Sequence, residues 1–195
     1  MSFRHLDRFL QPSIWTAALV GAALAIATLA TYYGGGTTHA LPHLFYVPVV
    51  LGAASFGVRG GFVTGILAGL LCGPLMPHNV ELGIPQTFQN WFVRMIFFTA
   101  IGVLGGALAG RLRLRIVDLE KLNDQTILAF VRAVDAKDPY TARHSERVAE
   151  FARAIAQEMG LPAEAVTRIH RAALLHDIGK IAIPESILNK PGRLT

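Results

Sequence analysis

Hydrophobic and polar positions divide this chain into two unlike halves. Between Phe9 and Gly110, Arg59, Glu81 and Arg94 are the only Asp, Glu, Lys or Arg side chains. From Arg111 onward charge is dense, and every Lys in the chain lies there. A lipid-facing half followed by an aqueous half accounts for this division. In the first half, Ser13 to Tyr33 runs without a charge, long enough to cross a hydrocarbon core of roughly 30 Å. Trp15 and the Tyr32-Tyr33 pair stand at its two ends like interface anchors. A secretory signal peptide is the rival reading, but the stretch exceeds the usual apolar region of about 7–15 residues and further apolar segments follow. The pattern predicts four spans, at about 13–33, 44–57, 62–76 and 91–109. The second and third are short and need flanking residues or a locally thinned bilayer. Val58-Arg59-Gly60-Gly61 is a tight connection between them, and 77–90 is the longest outer loop. Gly102, Gly105, Gly106 and Gly110 in the fourth allow close helix packing.

With four spans, Arg4, Arg8, Arg59, Arg111, Arg113 and Arg115 share one side, and the other carries Glu81 and neutral histidines. The bias of basic residues toward the inner face makes both termini cytoplasmic. Arg94 lies about one turn inside the outer end of the fourth span; it either snorkels to the interface or takes part in ligand sensing. The phrases 44–51 and 56–61, Leu-Phe-Tyr-Val-Pro-Val-Val-Leu and Phe-Gly-Val-Arg-Gly-Gly, resemble the small membrane sensor modules of bacterial sensor kinases and cyclic-nucleotide enzymes. That resemblance implies an input module over 1–110.

Residues 111–134 hold no Gly or Pro. Ile116, Leu119, Leu122, Ile127, Val131 and Val134 keep roughly to one face. This linker reads either as a parallel helix pair, hence a homodimer, or as an amphipathic helix packed on the next domain. Asp138-Pro139 breaks it. A further helix is expected to run to about Gly160, and another from Leu161-Pro162 to His176, with Gly179 letting the chain leave the helix. The fold class is therefore all-α.

Composition alters little. Charged residues are 16% against about 25% in soluble domains. The net charge of +5 does not argue for a nucleic-acid polymer, because much of it flanks apolar segments and no basic and aromatic positions alternate for base stacking. The single cysteine, Cys72, sits in an apolar run and forms no disulfide within the chain.

The candidate chemistry is concentrated in the second half. His144 offers imidazole nitrogens suited to a divalent transition metal. His176 and Asp177 are consecutive, so on a helix they point about 100° apart; at a helix end they can flank a metal. A carboxylate can bridge two ions, which would activate a hydroxide and clamp a phosphodiester. Lys180, one helical turn from His176, can hold a phosphate oxygen. His5, His39, His43, His78 and His170 lack such company and read as structural.

Residues 135–195 resemble the start of an HD-GYP domain, a branch of the HD metal phosphohydrolases. The carrying motifs are Asp138-Pro139-Tyr140-Thr141, His144-Ser145-Glu146-Arg147-Val148, 172–181 with its His176-Asp177-Ile178-Gly179-Lys180 core, and 183–195. The resemblance implies an all-helical, incomplete HD domain that hydrolyses cyclic di-GMP with iron or manganese. His144 and His176 would be metal ligands, Asp177 the bridging ligand and a catalytic residue, and Lys180 the phosphate contact. Three-metal members have a Glu one turn before the first ligand His; Tyr140 stands there, so two metals are expected. The further ligands and the Gly-Tyr-Pro loop of the family lie beyond the matching block. The chain therefore reads as truncated, and inactive by itself. The implied protein is an inner-membrane cyclic di-GMP phosphodiesterase. The alternatives are another HD-type nucleotide phosphohydrolase, or a non-catalytic membrane sensor.

Overall fold

The structure is a computed structural model; it describes residues 12–137 and 144–193. The expected helix start at Asp138-Pro139, Tyr140, and the basic residues Arg4 and Arg8 lie outside the described residues, as does His5. Among the described residues the fold is all-α, with one isolated bridge between Asn79 and Ile84. The chain forms two compact units, Met1–Arg115 and Ile116–Thr195.

In the first unit, α1 spans Ile14–Tyr33. Ser13 caps it reciprocally: its Oγ accepts from the Thr16 amide at 3.1 Å, and Thr16 Oγ1 accepts from the Ser13 amide at 2.9 Å. Thr16, Val20, Leu24, Ala27 and Thr31 are its buried residues. Steps of three and four place them on a single stripe, while Ile14, Trp15, Leu19, Ile26 and Leu29 are exposed. A 3-10 turn, Leu41–Phe45, leads into α2, Tyr46–Leu71.

α2 is helical on both sides of Gly57, which has φ 67° and ψ −151°. The chain reverses there. A Cβ placed on Gly52 would lie 2.5 Å from Thr64 Cγ2, yet twelve residues of straight helix would separate the two by about 18 Å. The expected second and third spans are thus two arms of a hairpin, 46–56 and 58–71. They are about 17 and 21 Å long at the usual rise, below the roughly 30 Å of a hydrocarbon core. Among the described residues, three helical stretches are long and apolar enough to cross a membrane: Ile14–Tyr33, Leu41–Leu71 taken through its reversal, and Phe88–Lys137.

The last of these is α3, a 50-residue helix. The expected fourth span and linker are therefore one continuous element, since no Gly-Pro or capping signal interrupts 88–137. Glycine spacing decides how α3 packs. Gly57, Gly61, Gly65, Gly69 and Gly73 recur every fourth residue. Going up this series, the α3 groups they face descend: Gly106, Gly102, Thr99, Met95 and Trp91. The second arm of α2 therefore runs antiparallel to α3. At Gly65 an added Cβ would come within 2.6 Å of Thr99 Cα, and at Gly61 it would overlap the Gly102 carbonyl. Backbones approach this closely only where side chains are absent. Val20, Leu24, Ala27, Phe45, Val49, Ala68, Cys72 and Phe98 close the core. Phe98 meets Tyr46 edge-on at 5.0 Å.

Arg94 turns inward. Its Nη1 donates to Cys72 O and to Gln86 Oε1, each at 3.3 Å. Gln86 Nε2 in turn donates to Cys72 O at 2.9 Å and Met76 O at 2.8 Å. A cation on the last carbonyls of α2 complements the negative end of the helix dipole. Nearby loops are laced together: Thr37 N donates to His78 O at 3.1 Å and Val80 N to Gly35 O at 3.3 Å. At the other end of the unit, Arg113 Nη2 donates to Ala54 O at 2.6 Å.

In the second unit, α4 is His144–Glu158 and α5 is Ala163–Leu174. Gly160, with φ 69°, ends α4. Leu161 N donates to Ala156 O at 3.2 Å and Gly160 N to Gln157 O at 2.9 Å, the paired bonds of a helix stop built on a left-handed residue. Val131, Ala149 and Leu174 form a small core with Ile127 and Ala173 against it. Arg171 Nη2 pairs with Asp124 Oδ1 at 2.7 Å. A 3-10 turn, Ile178–Ala182, and a single helical turn, α6 (Glu185–Leu188), follow.

Candidate metal centre

Two helix ends meet at the candidate site. His144 is the first residue of α4. α5 stops at Leu174, two residues earlier than the sequence suggests: past it the backbone bonds tighten to three-residue steps, Leu175 N to Ala172 O at 3.2 Å and Ile178 N to Leu175 O at 3.0 Å. His176 and Asp177 therefore stand on a turn. Small residues allow the approach: Ser145 and Ala149 are buried on α4, and His170 Nδ1 of α5 lies 3.2 Å from Ala149 O. Gly179 falls inside the 3-10 turn without a positive φ, so the expected exit at Gly179 is made earlier, at 175–177.

The structure brings together the three residues singled out from sequence as metal ligands: His144, His176 and Asp177 each offer an atom within 4.8 Å of the others. The two imidazoles are 5.5 Å apart between ring centres. His176 Nδ1 lies 2.8 Å from Ala173 O. With Nδ1 turned to that carbonyl, Nε2 faces Asp177 Oδ2 at 3.4 Å. A donor set of two nitrogens and one carboxylate oxygen, with one ring already oriented, fits a divalent transition metal. The three residues could hold such an ion.

Lys180 is placed differently from expectation. It does not stack one turn along a helix from His176, because the helix has ended; its Nζ lies 2.7 Å from Asp177 Oδ2. That hydrogen bond holds the Asp177 carboxyl below the usual carboxylate range. Partial burial opposes the shift, and the charges of His176, Lys180 and His144 add to it. Sequence reasoning missed Lys137, the last residue of α3. Its Nζ donates to Ile181 O at 2.7 Å and Ile183 O at 2.5 Å. No spacing pattern links residues so far apart along the chain.

Comparison with known proteins finds similarity confined to part of the chain. Residues 141–195 match the family model of the HD domain. A 3'3'-cGAMP-specific phosphodiesterase of Vibrio cholerae is 50% identical over 68 residues, covering 35% of this chain and 15% of that protein. A cyclic di-GMP phosphodiesterase response regulator of Xanthomonas campestris is 40% identical over 89 residues, covering 46% and 24%. A cyclic di-GMP phosphodiesterase of Thermotoga maritima is 56% identical over 59 residues, covering 30% and 16%. The chain thus spans less than a quarter of the length of each of these relatives. No solved structure matches it. Over 141–195 the chain is thus similar to HD domains, and the relatives it matches are named as cyclic di-GMP or 3'3'-cGAMP phosphodiesterases.

Proposed function

We propose that this chain serves a membrane-bound phosphodiesterase acting on cyclic di-GMP. The observation that carries the reading is the convergence of His144, His176 and Asp177 on the segment that matches the HD domain. His144, His176 and Asp177 would hold the metal, two iron or manganese ions in this reading. When bound, the ions supply a Lewis acid and an activated hydroxide. The chain's own residues orient the reaction: Ala173 O fixes the His176 ring, and Lys180 contacts a substrate phosphate.

In the reading, 1–110 is a membrane input module, 111–134 a linker and 135–195 the N-terminal part of the HD-GYP domain. Supporting the membrane assignment are the exposed apolar side chains on α1, among them Trp15 at 85% and Ile26 at 65%; such surface is unfavourable in water. The reversal at Gly57 gives an even number of passes whether each arm crosses or the hairpin re-enters. Both termini then share the cytoplasmic side of the inner membrane, with Arg59 and Arg113 at that end. Exposed Leu112, Ile116, Leu119 and Leu122 suit a parallel homodimer through the linker.

The test is hydrolysis of cyclic di-GMP by membranes carrying the full-length protein with Mn²⁺. Conversion to the linear dinucleotide or GMP, abolished by His176→Ala, is expected. Three of the similar proteins are named as specific for 3'3'-cGAMP, so that dinucleotide is the competing substrate; faster turnover of it would reassign the specificity. Mn²⁺ binding with no turnover of either favours a non-catalytic sensor.

A further inference from the structure

The end of α3 is fastened to the turn that carries the candidate site. Lys137 Nζ donates to Ile181 O and Ile183 O at 2.7 and 2.5 Å, and approaches Lys180 O at 3.5 Å. In return, Asn189 Nδ2 donates to Lys137 O at 3.2 Å. An ammonium has three donors and no acceptor, so it suits a cluster of carbonyls. Those carbonyls close the 3-10 turn Ile178–Ala182 and bear partial negative charge of the kind that gathers at helix ends. Asn189 thereby gives the Lys137 carbonyl a side-chain partner. One residue thus ties α3 to both ends of 180–189. The same turn begins at Asp177 and contains Lys180, whose amide donates to Asp177 O at 3.0 Å. None of its residues is buried.

We propose that Lys137 is a positioning residue: by latching the last turn of α3 to the carbonyls of 180–183, it sets where Lys180 presents its ammonium to a phosphate. The proposal rests on the reading of Lys180 as a phosphate contact, and it adds a residue on a different element that acts through Lys180. It touches neither the ion nor the substrate. It also gives α3 a route to the site, since a shift or unwinding of its last turn would release the carbonyls.

The test uses the full chain in detergent, with Lys137→Met, which keeps the alkyl stem, Lys137→Arg, which keeps the charge and donors, and Lys180→Met. Circular dichroism verifies that each variant is folded. Amide exchange of 178–184 reads the latch without any ligand. Binding of inorganic phosphate in saturating Mn²⁺ reads its consequence. Lys137→Met is expected to speed exchange in 178–184 and to weaken phosphate binding by roughly tenfold, the scale of a lost charge-assisted hydrogen bond. Lys137→Arg restores both. In the Lys180→Met background, Lys137→Met changes phosphate binding by less than about twofold, because the two act through one contact. Unchanged exchange in Lys137→Met overturns the latch. Faster exchange with unchanged phosphate affinity, or with fully additive effects, overturns the positioning role. If the unaltered chain binds neither Mn²⁺ nor phosphate, the metal-site reading has failed, and the exchange measurement alone decides the latch.

Discussion

At the scale of single residues, Asp177 is where the site's competing demands meet. Its Oδ2 faces His176 Nε2 and the Lys180 ammonium at once. An ion bound by His176 and Asp177 would compete with Lys180 for that oxygen. Lys180→Met is therefore expected to tighten Mn²⁺ binding by about threefold, the scale of a partly exposed ion pair, while weakening phosphate binding; electron paramagnetic resonance titration measures the first. The sign of the pH effect follows from the lowered Asp177 pKa. A carboxylate held below its unfolded value adds stability above that value, about 3.9 for Asp. The increment is lost as pH falls through the folded value. In the metal-free chain, protection of 178–184 against amide exchange should therefore fall as the pH drops below about 4. Asp177→Asn should remove that dependence and cost under about 1 kcal/mol at neutral pH. An unaltered acid profile in the variant would assign the effect to another group.

Among the elements, the seam between the second arm of α2 and α3 is the tightest contact. It depends on glycines whose Cβ would have no room. Gly61→Leu should force the helices apart and cost about 1–3 kcal/mol, read as a lower midpoint of thermal unfolding in detergent. Gly110, with nothing within 4 Å of an added Cβ, is the control: Gly110→Ala should be neutral or stabilising by up to about 1 kcal/mol through helix propensity. If both behaved alike, the seam would not be holding the bundle. The reversal at Gly57 has a different origin. Its φ of 67° with ψ −151° is a conformation that side chains make costly, by about 1–3 kcal/mol.

For the whole molecule, α3 is the element common to both units, and its middle carries exposed apolar side chains. Leu119, 64% exposed, belongs to the face expected to pair with a second copy. Oxidation of a Leu119→Cys variant in a Cys72→Ala background should give a disulfide-linked dimer on a non-reducing gel. A product that stays monomeric would leave that face to another partner. Membrane insertion has its own measurement. Thr38→Cys and Glu81→Cys should react with an impermeant thiol reagent in intact cells, while Val58→Cys should react only after permeabilisation. Reaction at all three positions would refute the proposed orientation.

Composition and periodicity carried the all-α class and the apolar first half, and motif spacing singled out His144, His176, Asp177 and Lys180. Long uncharged runs and clustered metal-binding side chains are properties of the chain itself. Gly160 was likewise readable as a helix stop, because a left-handed residue after a helix has a local sequence signature. Tertiary structure decided the rest. The hairpin at Gly57, the antiparallel glycine seam and the fusion of the fourth span with the linker depend on which backbones meet. The helix stop at Leu174 moved Lys180 from the His176 face to the Asp177 carboxylate. Lys137 entered only through a contact bridging more than forty residues. Such contacts are long-range, and no local period encodes them.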